Sequence, residues 1–515
     1  MACSPACPIL WGASTVKEKP NIVIILADDL GYGDVSFNNP LARTQTPNID
    51  NLAKSGISFS DAHAGGAVSV PSRYGLLTGR YYFRVNQENA YWGYLPPLIE
   101  QGRETIGTVL QKAGYTTACI GKWHLGLTWE RIDSLKPQIP KLQINRKTTG
   151  YTNTNFAIPV KDSPNEKGFD YSFIIPASLD MPPYVFLRNG CVIDSDIILT
   201  GDAYHHSLET TKQAWDYKHI KEGDIYWGRG VWWRNGEMSR SFKVENCLDE
   251  IVSEGVSFIE SQASKASPFL LYLPLTGPHT PWMAGDFKDF SDMGIYGDNI
   301  AHIDNVVLKI NETLKRLHID ENTIVIFTSD NGAPWEEEDI QKYGHAGNGP
   351  WRGQKGDAWE GGHHVPLFIK WPEKIKKAGI YQHPVSLIDF IATFADLTHQ
   401  TIEEKYAEDS FSFYPIINGS ETQAVRDHIV YISSHNKLAI KAGEWKLIDN
   451  LGSGGFSAPA VVEPELHGPH GQLYHISEDV SECNNLYLRH KQKADELHEL
   501  LRQTVKQGYS RKKQN

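Results

Sequence analysis

One segment of the chain combines a nucleophilic hydroxyl with a basic side chain at the start of a predicted helix. Segment 69–80 reads SVPSRYGLLTGR. Pro71 suits the first turn of a helix, where its missing N–H is no loss, and Gly79 suits the helix end. Ser69 therefore lies at or just before a helix N-terminus, where free N–H groups and the helix dipole favour an anion, and Arg73 follows about one turn later. A capped surface helix is the alternative interpretation, because Ser is common at helix starts.

Four apolar segments predicted as strands are each followed by polar side chains that can bind an ion or move a proton. The segments are 21–27, 115–121, 269–273 and 323–328. Because the strand C-termini of a parallel sheet lie at one edge, the polar groups can share one crevice although they are distant in sequence. One such junction is uninformative, but four with complementary chemistry predict a common site. The polar groups are Asp28 and Asp29, Lys122 and His124, His279, and Asp330 and Asn331.

The acidic members of this group indicate which metal ion they would bind. Their side chains offer only oxygen, and hard oxygen donors suit Ca²⁺ or Mg²⁺ rather than Zn²⁺, which prefers His or Cys. Three carboxylates around one divalent ion leave the site negative, so basic side chains are needed to receive an anionic substrate. The predicted metal ligands are Asp28, Asp29, Asp330 and Asn331, and the predicted anion-binding residues are Arg73, Lys122 and Lys355.

Segment 69–80 resembles the signature of the formylglycine-dependent sulfatases of the alkaline-phosphatase superfamily. That signature is Cys or Ser, any residue, Pro, Ser, Arg, followed later by Leu-Thr-Gly-Arg, and every fixed position is matched. The resemblance covers most of residues 20–400, and segment 473–486 is similar to the family's C-terminal element. It implies that Ser69 is oxidised to formylglycine, whose hydrated aldehyde is the nucleophile in that family.

The same resemblance implies a role for each residue of the predicted site. The four oxygen ligands would bind Ca²⁺, with Mg²⁺ as the alternative, and the matured residue 69 would attack sulfur. Arg73 and Lys122 would hold its hydrate, and His124 would take the proton whose removal lets sulfate leave. His279 and Lys355 would contact the sulfate, with His279 as the general acid at the leaving oxygen.

Serine at position 69 has consequences for maturation. An aldehyde hydrate can attack with one hydroxyl and expel sulfate with the second, whereas an unmodified Ser would be sulfated once and stall. In the family, Ser is the substrate of an anaerobic, radical-type maturase, while the oxygen-dependent system prefers Cys. The chain is therefore either a bacterial Ser-type sulfatase or a form in which Ser replaces Cys, and the sequence leaves both open. We expect a formylglycine-generating maturase as a partner.

Two loop segments indicate a class of substrate. Segments 348–353 and 359–362 resemble those of galactosamine-type sulfatases. We therefore expect an exo-acting enzyme that removes O-sulfate from sulfated galactose or N-acetylgalactosamine residues of glycans. Trp351 and Arg352 lie in the first of these segments and are substrate-binding candidates on that resemblance. Other candidates rest on location alone, and a purely structural role explains each of them at least as well. They are Asp180, Trp232, His345, Trp233, His363 and His364.

Two other functions are alternatives. A phosphomonoester or phosphonate hydrolase of the same superfamily also uses an activated nucleophile and an oxygen-rich metal site, and comparing the turnover of sulfate and phosphate esters would distinguish it. A non-catalytic relative that binds sulfated glycans would show binding without turnover, even after maturation. The complete catalytic set in this chain argues against the second alternative.

Composition limits the classes of function. Hydrophobic residues make up 40% and charged residues 22% of the 515 residues, which is ordinary for a globular protein, and the net charge of −12 argues against a nucleic-acid binder. No apolar run approaches the ~20 residues that span a bilayer, and the six cysteines show no metal-type spacing.

Residues 1–19 lack the apolar core of an intact signal peptide. We expect them to be a leader remnant or a disordered N-terminus of an exported bacterial protein, periplasmic or surface-associated.

The elements that position these residues follow from hydrophobic patterns. Strand and helix patterns alternate between residues 20 and 400, so we predict an α/β fold with a large mixed, mostly parallel sheet flanked by helices, similar to alkaline phosphatase. Residues 127–243 are predicted as long loops and small insertions that shape the pocket. We divide the chain into a catalytic domain over 20–400, a connector over 401–425 and a C-terminal subdomain over 426–515, with a small antiparallel sheet and a terminal helix.

Overall fold

The strand at the centre of the main sheet, β1 (Asn21–Asp28), is an apolar, β-branched run that is buried along its whole length. Its alternate side chains enter two different hydrophobic clusters, Ile22, Ile24 and Leu26 on one face and Val23, Ile25 and Ala27 on the other. This is the burial expected of a strand with helices on both sides. The computed structural model describes residues 19–85, 93–139, 150–204, 234, 236–282 and 284–511.

Strands alternate with helices along most of this length. The remaining strands are β2 (Ile57–Phe59), β3 (Ala62–His63), β4 (Thr116–Lys122), β5 (Tyr171–Ile175), β6 (Leu187–Arg188), β7 (Cys191–Val192), β8 (Ile197–Leu199), β9 (Glu237–Ser239), β10 (Phe269–Pro278), β11 (Thr323–Ser329), β12 (Leu367–Lys370), β13 (Gly379–Tyr381), β14 (Val385–Ser386), β15 (Ile429–Ile432), β16 (Leu438–Ala442), β17 (Trp445–Ile448) and β18 (Gln472–His475). The α-helices are α1 (Pro47–Lys54), α2 (Ser69–Thr78), α3 (Ile106–Lys112), α4 (Thr200–Tyr204), α5 (Cys247–Ala263), α6 (Ile295–Arg316), α7 (Glu337–Tyr343), α8 (Glu360–His363), α9 (Phe390–Leu397), α10 (Tyr414–Ile417) and α11 (Lys491–Gln507).

The main sheet brings the four predicted strand ends to one edge. Its strand order is β13-β2-β12-β11-β1-β10-β4-β5-β6-β7. Strand β1 pairs in parallel with β10 and β11, and β10 pairs in parallel with β4. Four adjacent strands therefore end side by side, as the rule for ligand sites in open α/β sheets requires. The predicted fold class, a mostly parallel mixed sheet between helices, is confirmed.

One part of this sheet differs from the expectation. Residues 171–175 form β5, which pairs in parallel with β4, although the surrounding stretch was predicted as loops and small insertions. That short strand lies among Pro, Gly and Tyr residues, so the sequence offers no apolar run longer than its five residues. On the other side, β12 pairs antiparallel with both β11 and β2, which makes the sheet mixed, as predicted.

A second sheet of four antiparallel strands, β15 to β18, lies in the C-terminal part of the chain. Helix α11 packs on it through Leu497 and Leu501, which join a cluster with Val430, Ile440 and Leu473. The predicted small sheet and terminal helix are thus present. The limits of the catalytic domain, connector and subdomain stay predictions.

Some expectations fall on residues outside the described ranges. These are the leader remnant, apart from Lys19, and the substrate-binding candidates Trp232 and Trp233. Among the described residues, no helix has both the length and the apolar character to cross a membrane.

Candidate active site

Helix α2 begins at Ser69, and each of its residues is buried. Val68 before it is extended, and Gly79 after it has a φ of 68°, the left-handed conformation that ends many helices. The Ser69 hydroxyl donates to Asp28 Oδ1 at 3.3 Å and accepts from Lys122 Nζ at 3.2 Å. The helix N-terminus therefore faces the edge of the sheet where the strands end.

The carboxylates after β1 and β11 form one cluster. Oxygen atoms of Asp28, Asp29 and Asp330 lie within 4.8 Å of one another. Asp29 has a φ of 69°, a conformation that Asp tolerates better than most residues, and its N–H donates to Asp330 Oδ1 at 3.1 Å. This backbone contact ties the two strand ends together and turns both carboxylates into the same space.

Asn331 completes an all-oxygen donor set. Its Nδ2 donates to Asp29 Oδ1 at 2.7 Å, while its Oδ1 is buried with no hydrogen-bond partner among the described residues. A buried carbonyl oxygen without a partner is costly, and a cation at this point would satisfy it. Three carboxylates and one amide oxygen fit a hard divalent cation such as Ca²⁺ or Mg²⁺.

Three basic side chains offset the three carboxylates. Lys122 Nζ lies 2.8 and 2.7 Å from the two oxygens of Asp28. Arg73 Nη2 lies 2.7 Å from Asp330 Oδ2 and 3.2 Å from Asp28 Oδ1. Lys355 Nζ lies 2.6 Å from Asp29 Oδ2. The predicted anion-binding residues thus line the same cluster as the predicted metal ligands.

Burial and charge oppose each other in this cluster. Burial by itself would raise the pKa of Asp28, but the positive charges of Lys122, His279 and Arg73 hold that pKa below its usual value. Burial lowers the pKa of Lys122, and the attraction of Asp28 offsets only part of this effect. For Lys355, the nearby Asp29 and Asp28 outweigh burial and raise the pKa. The cations and the carboxylates stabilise each other's charged forms in this buried cluster.

His279 extends from the end of β10 into the cluster. Its Nδ1–H donates to the Thr280 carbonyl at 2.6 Å, and its Nε2 lies 3.6 Å from Asp29 Oδ2. The Ser178 hydroxyl lies 3.2 Å from Nδ1. Because Nδ1 faces a carbonyl, Nε2 is the nitrogen that can exchange a proton with a ligand.

His124 and Asp180 lie at the margins of this group. His124 follows β4 with a φ of 56°, and its N–H donates to Pro176 O at 3.1 Å. Asp180 is buried; its Oδ2 accepts from Arg234 Nη1 at 2.6 Å, while its Oδ1 has no hydrogen-bond partner among the described residues and lies 3.9 Å from His279 Nδ1. Burial would raise the pKa of Asp180, but Arg234 and His279 hold it below its usual value, which favours the carboxylate form.

The other substrate-binding candidates have structural partners. His345 is completely buried, with Nε2 2.8 Å from Asp34 Oδ1 and Nδ1 accepting from the Arg43 N–H, so both ring nitrogens are engaged. The Trp351 ring stacks on His364 at 4.5 Å. The Arg352 guanidinium lies 3.7 Å from the centre of the Trp359 ring and donates to the Glu482 carbonyl.

Sequence reasoning did not find several residues that support the site. Asp34, Asn348 and Ser178 each contact a site residue or the turn that carries one. Asn348 lies within the 348–353 loop, whose resemblance to galactosamine-type sulfatases is the feature of the sequence that could have indicated this residue. Nothing in the sequence distinguishes Asp34 or Ser178 from other polar loop residues.

Comparisons with known proteins identify the family of this chain. The family model described as Sulfatase matches residues 20–400. The chain is 35% identical to an N-acetylgalactosamine-6-O-sulfatase of Bacteroides thetaiotaomicron over 94% of its own length and 93% of that relative. It is 28% identical to the N-acetylgalactosamine-6-sulfatase of the dog, over 84% of this chain and 72% of that one. A solved structure from work on glycosaminoglycan metabolism by Bacteroides thetaiotaomicron superposes with a TM-score of 0.77 and 32% identity, covering 95% and 99% of the two chains.

Proposed function

This chain belongs to the sulfatase family and is a sulfuric ester hydrolase, and from that premise we propose that it removes O-sulfate from galactose or N-acetylgalactosamine residues at the ends of glycans. The observation that carries the proposal is the convergence of Ser69, three carboxylates and three cations at the N-terminus of α2. The names of the relatives from Bacteroides and the dog support the choice of sugar.

Residue 69 supplies the nucleophile in this proposal. Oxidised to formylglycine and hydrated, it would offer one hydroxyl for attack and a second one for the release of sulfate. Lys122 Nζ already lies 3.2 Å from the Ser69 oxygen, close enough to stabilise a negative oxygen there. Arg73, four residues along the same helix, adds a second positive charge. His124 is proposed as the base that removes the proton before sulfate leaves.

The oxygen ligands would hold a calcium ion, with Mg²⁺ as the alternative. Asp28, Asp29, Asp330 and Asn331 are the proposed ligands. Asn331 Oδ1, which has no hydrogen-bond partner in the described part of the chain, supports this assignment. When bound, the ion would supply positive charge to orient and polarise the sulfate group. Lys355 reaches the same carboxylates from a different loop and would bind a sulfate oxygen.

His279 is the proposed general acid at the leaving sugar oxygen. Its Nδ1 is held by the Thr280 carbonyl, which directs Nε2 into the site. Nε2 lies 3.6 Å from Asp29 Oδ2, beside the cluster that would bind the sulfate group. A sugar alcohol is a poor leaving group, so protonation of its oxygen as the bond breaks lowers the barrier substantially.

Asp180 is the proposed contact for the sugar itself. Its Oδ1 is buried, lacks a hydrogen-bond partner among the described residues and lies beside His279. A sugar hydroxyl next to the sulfate ester would satisfy this acceptor. Substrates in which that hydroxyl is replaced by hydrogen should then lose most of their turnover. Substrate contacts of Trp351, Arg352 and His345 stay predictions.

The proposal includes maturation and export. A bacterial Ser-type maturase would act on Ser69, and the product would work in the periplasm or at the cell surface. The protein should therefore be produced with and without an anaerobic radical maturase, and residue 69 should be checked by mass spectrometry. We expect turnover of a sulfated sugar only by the matured protein, while the unmatured protein still binds it.

A panel of monosulfated sugars and the matching phosphate esters tests the substrate. We expect release of sulfate from 6-sulfated N-acetylgalactosamine or galactose, and little turnover of phosphate. Ser69→Ala is the control that cannot be matured. Full turnover by protein with an unmodified Ser69 would refute the proposed nucleophile, and activity confined to simple aryl sulfates would refute the glycan substrate.

A further inference from the structure

We propose that Asn348 is a positioning residue that keeps the two ligand-bearing turns of the ion site at a fixed separation. One of these turns follows β1 and carries Asp28 and Asp29, and the other follows β11 and carries Asp330 and Asn331. The inference rests on the ion site of the proposed function and extends it to a side chain that is not itself a ligand.

The Asn348 amide holds the turn after β11 through both of its ends. Its Oδ1 accepts from the Ala333 N–H at 2.8 Å, and its Nδ2 donates to the Ala333 carbonyl at 3.0 Å. The same Nδ2 donates to Gly353 O at 3.2 Å, and the Lys355 N–H donates to the Ala333 carbonyl at 3.0 Å. One buried side chain therefore joins the metal-ligand turn to the loop that carries Lys355.

The Asn348 oxygen also touches the turn after β1. A Cβ atom on Gly31 would lie 2.6 Å from Asn348 Oδ1, and a Cβ atom on Gly332 would lie 2.9 Å from it. Gly31 comes two residues after Asp29, and Gly332 comes directly after Asn331. The amide thus lies between the two turns at a distance that leaves no room for a side chain on either one.

The residues next to Asn348 fix the loop to the first turn. The Gly33 N–H donates to Gly347 O at 2.8 Å. His345 pairs with Asp34 Oδ1, while Asp34 Oδ2 accepts from the Gly31 N–H at 2.8 Å and from the Tyr296 hydroxyl at 2.7 Å. Segment 345–348 is therefore bonded to the first turn, and the Asn348 amide bonds the same segment to the second turn.

Loss of the link between the two turns should weaken binding of the ion. A divalent ion needs its ligands at nearly constant distances, and residues that orient ligands typically account for 10- to 100-fold in metal affinity. Removing the amide also leaves the Ala333 N–H without its partner. We expect Asn348→Ala to weaken Ca²⁺ binding by about 10- to 100-fold, and to raise the Ca²⁺ concentration needed for activity without an equal fall in turnover at saturating Ca²⁺.

The experiment compares two Asn348 variants with a matched control. Asn348→Ala and Asn348→Ser are the test variants, and Ser serves if the Ala variant does not fold. Asn450→Ala is the control, because Asn450 is similarly buried and its Nδ2 bonds two backbone carbonyls near the C-terminal sheet, at 2.8 and 3.0 Å. Chelator-treated proteins are titrated with Ca²⁺ by calorimetry, and their melting temperatures are measured in chelator.

A purely structural role would lower the melting temperature in chelator and leave the dissociation constant for Ca²⁺ unchanged. That result, or equal weakening in the Asn450 control, would overturn the inference. If the wild-type protein binds no divalent ion, the proposed ion site is refuted, and this inference is refuted with it. Normal binding by the wild type and by both Asn348 variants would remove the inference alone.

Discussion

Lys122 and Asp28 are completely buried and bond each other through two contacts of 2.8 and 2.7 Å. A buried ion pair contributes little net stability, but removal of one partner leaves an uncompensated buried charge, which costs about 3–5 kcal/mol. A substitution at either residue would therefore destabilise the protein and alter the proposed site at the same time, so the two effects could not be separated. His279 lies at the edge of the same cluster and touches Asp29 only at 3.6 Å, so its role can be tested with less risk to folding.

We predict that His279→Asn lowers the turnover of a sulfated sugar by about 10²- to 10⁴-fold, because a general acid contributes that much when the leaving group is a poor one. The loss should be much smaller for an aryl sulfate, whose phenol leaves without protonation. The measurement is kcat for both substrates at the same pH.

The control for this variant is His302→Asn. His302 is also a buried histidine beside an Asp, with Nε2 3.2 Å from Asp249 Oδ1, but it lies on α6. Equal losses on the sugar and aryl substrates would contradict the general-acid role, as would a similar effect of the control.

At the scale of elements, α2 matters because its start positions residue 69 and its end fixes the direction of the helix. The helix stops at Gly79, whose N–H bonds Gly75 O at 2.8 Å in the left-handed conformation. A Cβ atom on Gly79 would lie 2.3 Å from Ile391 Cγ2 of α9 and 2.9 Å from Ala407 Cβ. The sequence motif thus includes the glycine because α2 and α9 pack closely at this point.

We predict that Gly79→Ala destabilises the protein by about 3 kcal/mol, since strain in the left-handed conformation adds to overpacking against α9. Gly114→Ala is the matched control, because Gly114 has a φ of 86° and a Cβ atom there would have no described residue beyond its chain neighbours within 4 Å. The control should lose only about 1 kcal/mol from backbone strain. Urea unfolding of both variants measures the difference, and equal losses would show that packing at Gly79 contributes nothing.

At the scale of the whole molecule, a buried polar network joins the C-terminal sheet to the main body. Lys446 of β17 lies 2.9 Å from both Glu360 Oε1 and Glu482 Oε1, and 3.2 Å from His363 Nε2. The network continues from His363 to His63 through their Nδ1 atoms at 3.1 Å. Burial lowers the pKa of His63 to about 4, so this histidine is neutral at physiological pH. It therefore extends the network through hydrogen bonding and adds no charge to it.

The network gives the protein a pH-dependent stability. Burial, together with the negative charge of Glu360, raises the pKa of Glu482 from 4.5 to about 7, although Lys446 opposes the shift. The folded protein therefore holds a proton that the unfolded chain releases between these pH values. Its contribution to stability is fully present below pH 4.5 and is lost as the pH rises through about 7.

We predict that Glu482→Gln, which mimics the protonated side chain, removes this part of the pH dependence. The melting temperature of the variant should exceed that of the wild type by about 2 °C or more at pH 8, with little difference at pH 5. Glu478→Gln is the control, because the Glu478 side chain is 78% exposed. The same difference between variant and wild type at both pH values would contradict the proposed titration. Thermal melts at pH 5 and 8 decide the matter.

The sequence by itself determined the architecture and which polar residues gather at the ends of the central strands. Uninterrupted apolar runs such as 21–27 specify buried parallel strands, and the common edge of a parallel sheet then brings Asp28, His279 and Asp330 together. The start of α2 was also predictable, because the Pro and Gly of segment 69–80 mark helix ends through local backbone preferences. These features depend on neighbours in the chain or on a general rule of topology.

Only the tertiary structure decided which partner each polar side chain takes. It paired Asp180 with Arg234, engaged both ring nitrogens of His345, and placed the Asn348 amide between two turns. It also added β5 to the main sheet from a stretch that lacks a long apolar run. Such contacts join residues far apart in the chain at distances near 3 Å, and their geometry depends on how the elements pack, which no local pattern encodes.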